Sequence, residues 1–385
     1  MENEIKTMVT RVIRNVDDEK RDTIEFEDNT SSLLKELSMK PRERYKFIRT
    51  IGIGGMKAVL LVHDNDTNRN VALAMMPDFN ERPAEDIAKF VNEARITASL
   101  EHPFIVPIHD IGLDSNMAPY FVMAHLSGLI LSTLLMRMRN NDTELLAFYY
   151  ERKMLYSFQR ICHAVEFAHS QNILHLDLKP ANIHIGKFGE VHVLDWGLAR
   201  YIDKCRKKEP PKNHKFVSNT AGTPGYMAPE QAIGNESLYD ERTDIYALGG
   251  ILFSILTFRS PASFWEGMDV DTLLQKTADG TVISEIEMKN EIRDIPPELE
   301  SICRKAMALR KEDRYQSVKA MRDDIGNYLS NYPTLAEDPA AHKKAFLFIK
   351  RNFAKLAVFT AFVALLVTAG VLYYLFKTGI LILNN

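Results

Sequence analysis

Apolar residues follow two rhythms along this chain. Between positions 45 and 124, short apolar runs separated by polar clusters predict strands near 45–52, 58–64, 70–76, 105–111 and 119–124. One helical stretch at 84–100 interrupts them. Beyond Leu131 the three-to-four spacing of helices dominates, apart from a short strand pair near 183–185 and 191–194. A small β-rich lobe followed by a large helical lobe predicts an α+β, bilobal domain over residues 44–330.

The pattern changes at both ends. In residues 1–43, Ile5, Met8, Val9, Val12 and Val16 form one helical stripe, and the stretch 17–32 is a polar linker. Such a helix docks on the domain or a partner, or frays free in solvent. Residues 331–355 form a basic linker with two prolines near its start. Residues 356–376, LAVFTAFVALLVTAGVLYYLF, carry no charge over 21 positions. At about 1.5 Å per residue they span roughly 30 Å, the thickness of a bilayer's hydrocarbon core. Lys355 and Lys377 bracket the run, and Tyr373 and Tyr374 suit an interface. A buried core helix is the alternative, but a core helix is rarely uncharged all round. Lys343, Lys344, Lys350, Arg351 and Lys355 precede the run, against Lys377 after it. That asymmetry predicts a single-pass membrane protein with its large domain in the cytoplasm. The tail 377–385 is too short for a sensor domain.

Composition narrows the field. The 385 residues are 46% hydrophobic and 26% charged with net charge -3, enough for one large domain or two small ones. The balance gives no reason to propose nucleic-acid binding. Three widely spaced cysteines, Cys162, Cys205 and Cys303, point to a reducing compartment with neither disulfide framework nor zinc site. The charged N-terminus has no signal-peptide core.

Several short motifs stand in a fixed order. Gly52-Ile53-Gly54-Gly55-Met56-Lys57-Ala58-Val59 is glycine-rich, and glycine lets backbone turn tightly and approach a phosphate. Val71-Ala72-Leu73-Ala74 follows, then His175-Leu176-Asp177-Leu178-Lys179-Pro180-Ala181-Asn182, Asp195-Trp196-Gly197, and Gly222-Thr223-Pro224-Gly225-Tyr226-Met227-Ala228-Pro229-Glu230. Over roughly three quarters of the chain this order resembles a protein kinase domain of the eukaryotic-like serine/threonine type found in bacteria.

The resemblance implies ATP and Mg2+ as cofactors, protein serine and threonine hydroxyls as substrates, and a role for each motif. Ile51, Gly52 and Gly54 belong to the nucleotide loop, Val59 and Ala72 sandwich adenine, and Met123 is the gatekeeper. Ala124 to Leu126 form the hinge. Asp177 serves the attacking hydroxyl, Lys179 offsets γ-phosphate charge, and Asn182 and Asp195 hold magnesium. Thr223 contacts Asp177 and Lys179, Glu230 pairs with Arg314, and Asp244 braces the catalytic loop.

The departures are equally specific. The family's third-strand lysine position holds Ala74, so Glu93 on the following helix loses its usual partner and could be merely solvated. Lys57 occupies the loop position at which the with-no-lysine kinases place their substitute, and a lysine stem can bridge the roughly 4.8 Å between adjacent strands. A solvated loop lysine is the alternative. Leu176 replaces an arginine that pairs with loop phosphates in many kinases, and His184 replaces an apolar floor under adenine. In the loop 198–221, Lys204, Arg206, Lys207, Lys208, Lys212 and Lys215 make a basic stretch, mobile or attractive to acidic partners, with Ser218 and Thr220 as candidate phosphorylation sites.

Two main readings result. One is a membrane-anchored serine/threonine kinase in which Lys57 replaces the missing lysine. The other is a catalytically impaired pseudokinase acting as a membrane-bound scaffold. In a third, the span assembles a complex through Ala357, Ala361, Ala364 and Gly370. A homodimer is left open.

Overall fold

Strand β3, Arg69–Met75, is covered on both faces from Val71 onward, and this double burial organises the first lobe of the computed structural model. The structure describes residues 44–54, 56–114, 117–202, 222–265, 267–280 and 288–378. The expected N-terminal helix and linker in 1–43, Gly55, Cys205, the basic residues of 203–221 with Ser218 and Thr220, and the tail beyond 378 lie outside the described residues.

Around β3 the antiparallel sheet is ordered β1-β2-β3-β5-β4, with β1 Tyr45–Ile53, β2 Ala58–Asp64, β4 Ile108–Leu113 and β5 Pro119–Ala124. Pleating sends alternate side chains to opposite faces. Val71, Leu73 and Met75 join Tyr45, Leu60 and Tyr120 on one side. Ala74 faces the other, packed with Phe90 and Ala94 of helix α1, Ala84–Ser99, and with Phe121 of β5. A small residue at 74 lets α1 sit close to the sheet.

β4 begins three residues later than the sequence pattern predicts. The apolar run at 105–107 exists, but its hydrogen bonds go elsewhere. Ile105 bridges Val193 of the second lobe, and Val106 donates its N–H to the Val193 carbonyl at 3.3 Å. Pro107 has no N–H to offer a ladder.

The second lobe is helical: α2 Leu131–Arg139, α3 Thr143–Phe148, α4 Glu151–Ser170, α5 Pro229–Ala232, α6 Glu241–Thr257, α7 Val270–Ala278, α8 Pro297–Ala306 and α9 Val318–Leu329. Helix α6 is buried from Thr243 to Thr257 on every side. It is therefore the axis on which α4, α8 and α9 share one core. Asp240 caps it, accepting from the Arg242 N–H at 3.0 Å. Two small sheets complete the lobe: β6 Gly128–Ile130, β8 Ile183–Gly186 and β9 Val191–Val193 in the order β6-β8-β9, and β7 Ile173–Leu174 paired with β10 Arg200–Tyr201. The fold is thus the bilobal α+β arrangement that the sequence pattern predicts.

Glu230 and Arg314 form a buried bidentate pair at 2.9 and 3.0 Å. Arg314 also donates to the carbonyls of Ala308, Leu309 and Arg242, so its buried charge is fully partnered. Helix α10, Ala341–Lys377, follows a short connection and runs unbroken for 37 residues. The junction at 355/356 between basic linker and apolar segment is no structural boundary. Among the described residues this is the one helix long and apolar enough to cross a membrane.

Candidate active site

The register of β2 on β3 decides where Lys57 can reach. Val59 lies directly opposite Ala74. Lys57 is two residues before Val59, hence on the same side of the strand's path and diagonal to Ala74. Diagonal neighbours are about 7–8 Å apart, within reach of a long side chain. The Lys57 ammonium contacts Glu93 Oε1 and lies 2.9 Å from Asp195 Oδ1. Glu93 is therefore paired although β3 carries no lysine, because its partner arrives from beside the neighbouring strand.

The three charges tune one another. Burial opposes charge on Lys57, but Glu93 and Asp195 outweigh it and hold the ammonium above the ordinary lysine range. Burial likewise disfavours the Asp195 carboxylate, and Lys57 nevertheless holds it below the usual range. Burial pushes Glu93, the most enclosed of the three, upward. Gly197 leaves room for the cluster: a Cβ there would lie 3.2 Å from Glu93 Oε2 and 3.3 Å from Asp195 Oδ1 and would crowd both carboxylates.

Across the cleft, the catalytic loop is fixed by its backbone. Both Asp244 oxygens accept backbone N–H groups, from His175 and Leu176, each at 2.9 Å. His169 Nε2 adds a contact to Asp244 at 2.8 Å. Burial would raise the Asp244 pKa; the His169 hydrogen bond and neighbouring groups keep it low instead. Gln231 Nε2 donates to the Leu176 carbonyl at 2.9 Å. These bonds hold Leu176 at φ 64°, a left-handed conformation that costs a non-glycine residue about 1–2 kcal/mol. His175 donates from Nε2 to the Leu194 carbonyl at 3.1 Å and accepts the Asp177 N–H on Nδ1. Its ring packs on Trp196, with centroids 4.5 Å apart.

Asp177, Lys179, Asn182 and Thr223 converge on one point. Thr223 Oγ1 donates to Asp177 Oδ1 at 3.0 Å, and Lys179 Nζ reaches Thr223 Oγ1 at 2.7 Å and Asp177 Oδ2 at 2.8 Å. Asn182 Nδ2 donates to the Asp177 carbonyl and carboxylate at 2.9 and 3.1 Å. That uses the amide nitrogen on the loop and leaves the Asn182 oxygen as an acceptor. With Asp195 Oδ2, it gives a hard-oxygen donor set that suits magnesium.

The nucleotide cleft lies between these two constellations. Ala72 is opposite Leu61 and Met123, and Met123 is also opposite Ile108. Val59 and Met123 are half-buried at the cluster around Ala74. Ala124 commits its N–H to the Pro107 carbonyl at 3.1 Å, while Leu126 follows as loop. Gly52 lies near the end of β1 with Ile51 exposed before it, and the Gly54 N–H donates to the Lys57 carbonyl at 2.9 Å. His184 is 6% exposed on β8, opposite Ile130 and His192. Burial, with His192 and the hinge residue His125 adding to it, pushes its pKa down to about 4. Its Nδ1 finds no hydrogen-bond partner among the described residues.

Sequence reasoning missed His169 and Gln231. Each acts through tertiary contact, with no motif of its own. It also missed that the Trp196 indole N–H is buried without an acceptor among the described residues.

Comparisons with known proteins agree with this geometry. A family model described as protein kinase domain matches residues 45–325. The serine/threonine-protein kinase PknD of Chlamydia trachomatis is 37% identical over 309 residues, covering 76% of this chain and 32% of the relative. PknD of Protochlamydia amoebophila is 35% identical over 305 residues, 74% of this chain and 30% of its own length. PknD of Chlamydia pneumoniae is 34% identical over 304 residues, 76% and 32%. The chain spans about a third of the length of these curated relatives. The motif order, the two-lobed fold and the match over most of its length agree, and the chain belongs to the protein kinase family.

Proposed function

We propose that this chain is a membrane-anchored serine/threonine protein kinase in which Lys57 serves as the phosphate-gripping lysine. The observation that carries the reading is the Lys57 ammonium bridging Glu93 and Asp195. Lys57 would bind the α- and β-phosphates of ATP, oriented by Glu93. Asp195 and Asn182 would hold magnesium, which when bound offsets phosphate charge and aligns the transferred group. Asp177 Oδ1 and Oδ2 would orient the incoming hydroxyl and take its proton. Lys179 would neutralise charge on the transferred phosphoryl, and Thr223 would position both. The relatives' name supports serine/threonine specificity. The apolar run of α10 supports anchoring, with the basic flank and the kinase domain on the cytoplasmic side.

The test uses the full chain in lipid vesicles with labelled ATP and magnesium, beside Lys57→Ala and Asp195→Ala. Transfer by the unaltered chain that is lost in both variants supports the reading. Transfer undiminished in Lys57→Ala overturns the relocated lysine. The alternative is a nucleotide-binding pseudokinase, favoured by the polar His184 in the cleft and by Ala74. It predicts magnesium-dependent nucleotide binding with no transfer by any form.

A further inference from the structure

Helix α10 presents two unlike faces before its apolar segment begins. One is clamped to the kinase domain. Lys343 pairs with Glu298 of α8 at 2.8 Å and with Glu337. The Arg351 guanidinium lies over the Tyr332 ring, 3.9 Å from its centroid. The other face is apolar and open: Phe346, Ile349 and Phe353 are 62%, 52% and 69% exposed. At 3.6 residues per turn these three fall within about 60° of one another, roughly 130° around the helix from Lys343, Leu347 and Arg351.

Their spacing is three, then four. It continues with Leu356 and runs into the apolar segment through Thr360 and Val363. This is the a/d spacing of a coiled-coil seam. Inside the segment nearly every residue is apolar, so the pattern carries information in the aqueous part. There, Lys344, Lys350, Asn352 and Lys355 lie off the stripe.

Depth decides what can cover it. Phe346 lies ten residues before Leu356, about 15 Å along the axis. The headgroup layer adds only about 5–8 Å on each side of the hydrocarbon core. Phe353 can sit among headgroups, but Phe346 stands in water beyond them. The ion pairs of Lys343 keep the helix from lying down on the surface. The bilayer therefore leaves the outer part of the stripe uncovered.

A second copy of this chain fits. Copies inserted with one orientation present α10 in parallel and at equal depth, so Phe346 meets Phe346 and Ile349 meets Ile349 without further alignment. In such a pair Lys350 at the e position faces Ala345 at g, so no like charges are opposed. The aqueous seam is short, and its continuation through the apolar segment fixes its register.

We propose that α10 is a parallel dimerisation helix, seamed by Phe346, Ile349, Phe353 and Leu356, that holds two kinase domains side by side at the membrane. The proposal rests on α10 being a membrane anchor.

The experiment uses the full chain carrying Cys205→Ser, reconstituted in phosphatidylcholine–phosphatidylglycerol vesicles and checked by flotation. Single cysteines are introduced across 344–355 and oxidised. Crosslinked dimer is expected to peak at Phe346→Cys, Ile349→Cys and Phe353→Cys, about fivefold above Leu347→Cys and Asn352→Cys, as a coiled-coil seam requires. In unmodified sequence, Ile349→Glu should abolish energy transfer between donor- and acceptor-labelled copies while leaving nucleotide binding intact. Even or absent crosslinking in chains that float overturns the dimer alone. Quenching of a probe at 346 by brominated lipid, without crosslinking, assigns the stripe to the bilayer and also overturns it. A chain that fails to float overturns the anchor and the dimer together.

Discussion

The two sides of the nucleotide cleft are held by different means. On the second-lobe side, Asp177 sits in a loop whose backbone is tied at His175 and Leu176 by Asp244, and at the Leu176 carbonyl by Gln231. On the first-lobe side, the cation, Lys57, is one flexible side chain meeting two carboxylates. A backbone held at several points cannot be supplied from another position. A single ammonium on a four-carbon stem can, provided its head reaches the same place. On the proposed reading the cation comes from the turn before β2 and not from β3, while the catalytic loop keeps Asp177, Lys179 and Asn182.

The largest effects should separate the two sides by their chemistry. Asp177→Asn should lower kcat by about 10²–10⁴-fold, the usual value of a positioned base. Lys57→Ala should lower kcat/KM by at least about 100-fold, as for loss of one charge-stabilising donor. Steady-state phosphate transfer measures both. Equal activity of Lys57→Ala and the unaltered chain breaks the comparison.

Next comes scaffold stability. Asp244→Ala leaves two buried N–H groups without an acceptor and frees a strained loop, and should cost about 3 kcal/mol. Denaturant unfolding reads this directly. Lys57→Ala should change the midpoint less, since Asp195 is partly open to water and the buried Glu93 can take up a proton once its partner is gone.

The floor of the cleft gives a pH signature. His184 has a folded pKa of about 4 against an ordinary 6.5, and burial lowers His192 in the same direction. The unfolded chain then binds more protons between those values, so stability is complete above about pH 6.5 and declines as pH falls toward 4. Moving a pKa by one corresponds to about 1.4 kcal/mol, so His184→Leu should flatten that decline by about 3 kcal/mol. Unfolding measured at several pH values checks it. An unchanged slope would mean that the ring is not held neutral by burial.

The smallest effect is the sharpest test of equivalence. Ala74→Lys in the Lys57→Ala background should restore activity about tenfold, since both stems reach one phosphate site. Recovery is partial because Phe90, Ala94 and Phe121 close on a small residue at 74. No recovery would mean that the positions serve different sites.

The sequence carried much of this. Strand and helix order, the two lobes and the motif residues of the catalytic loop are legible because each is a local pattern of fixed spacing. Lys57 was legible as a candidate through its position in the glycine-rich loop. Its pairing with Glu93, 36 residues away, was legible only through the family resemblance, because the contact itself is set by sheet register. β4 was misplaced because hydrophobicity at Ile105 does not say which lobe receives its hydrogen bonds. His169 and Gln231 are ordinary helix residues until folding brings them against Asp244 and Leu176. The continuity of α10 was hidden by its change from basic to apolar, which marks a change of surroundings and not of conformation.

Placing the ammonium beside the Gly54–Lys57 turn has a kinetic consequence. In a kinase whose lysine lies on the central strand, the loop above the phosphates can lift while the ion pair below stays closed. Here the Gly54 N–H closes on the carbonyl of the residue whose ammonium pairs with Glu93. If Lys57 grips the phosphates as proposed, lifting that turn to release spent nucleotide would also pull Lys57 from Glu93 of α1. Product departure and helix position would then be a single thermodynamic event, and pressure on α1 would set the residence time of the nucleotide.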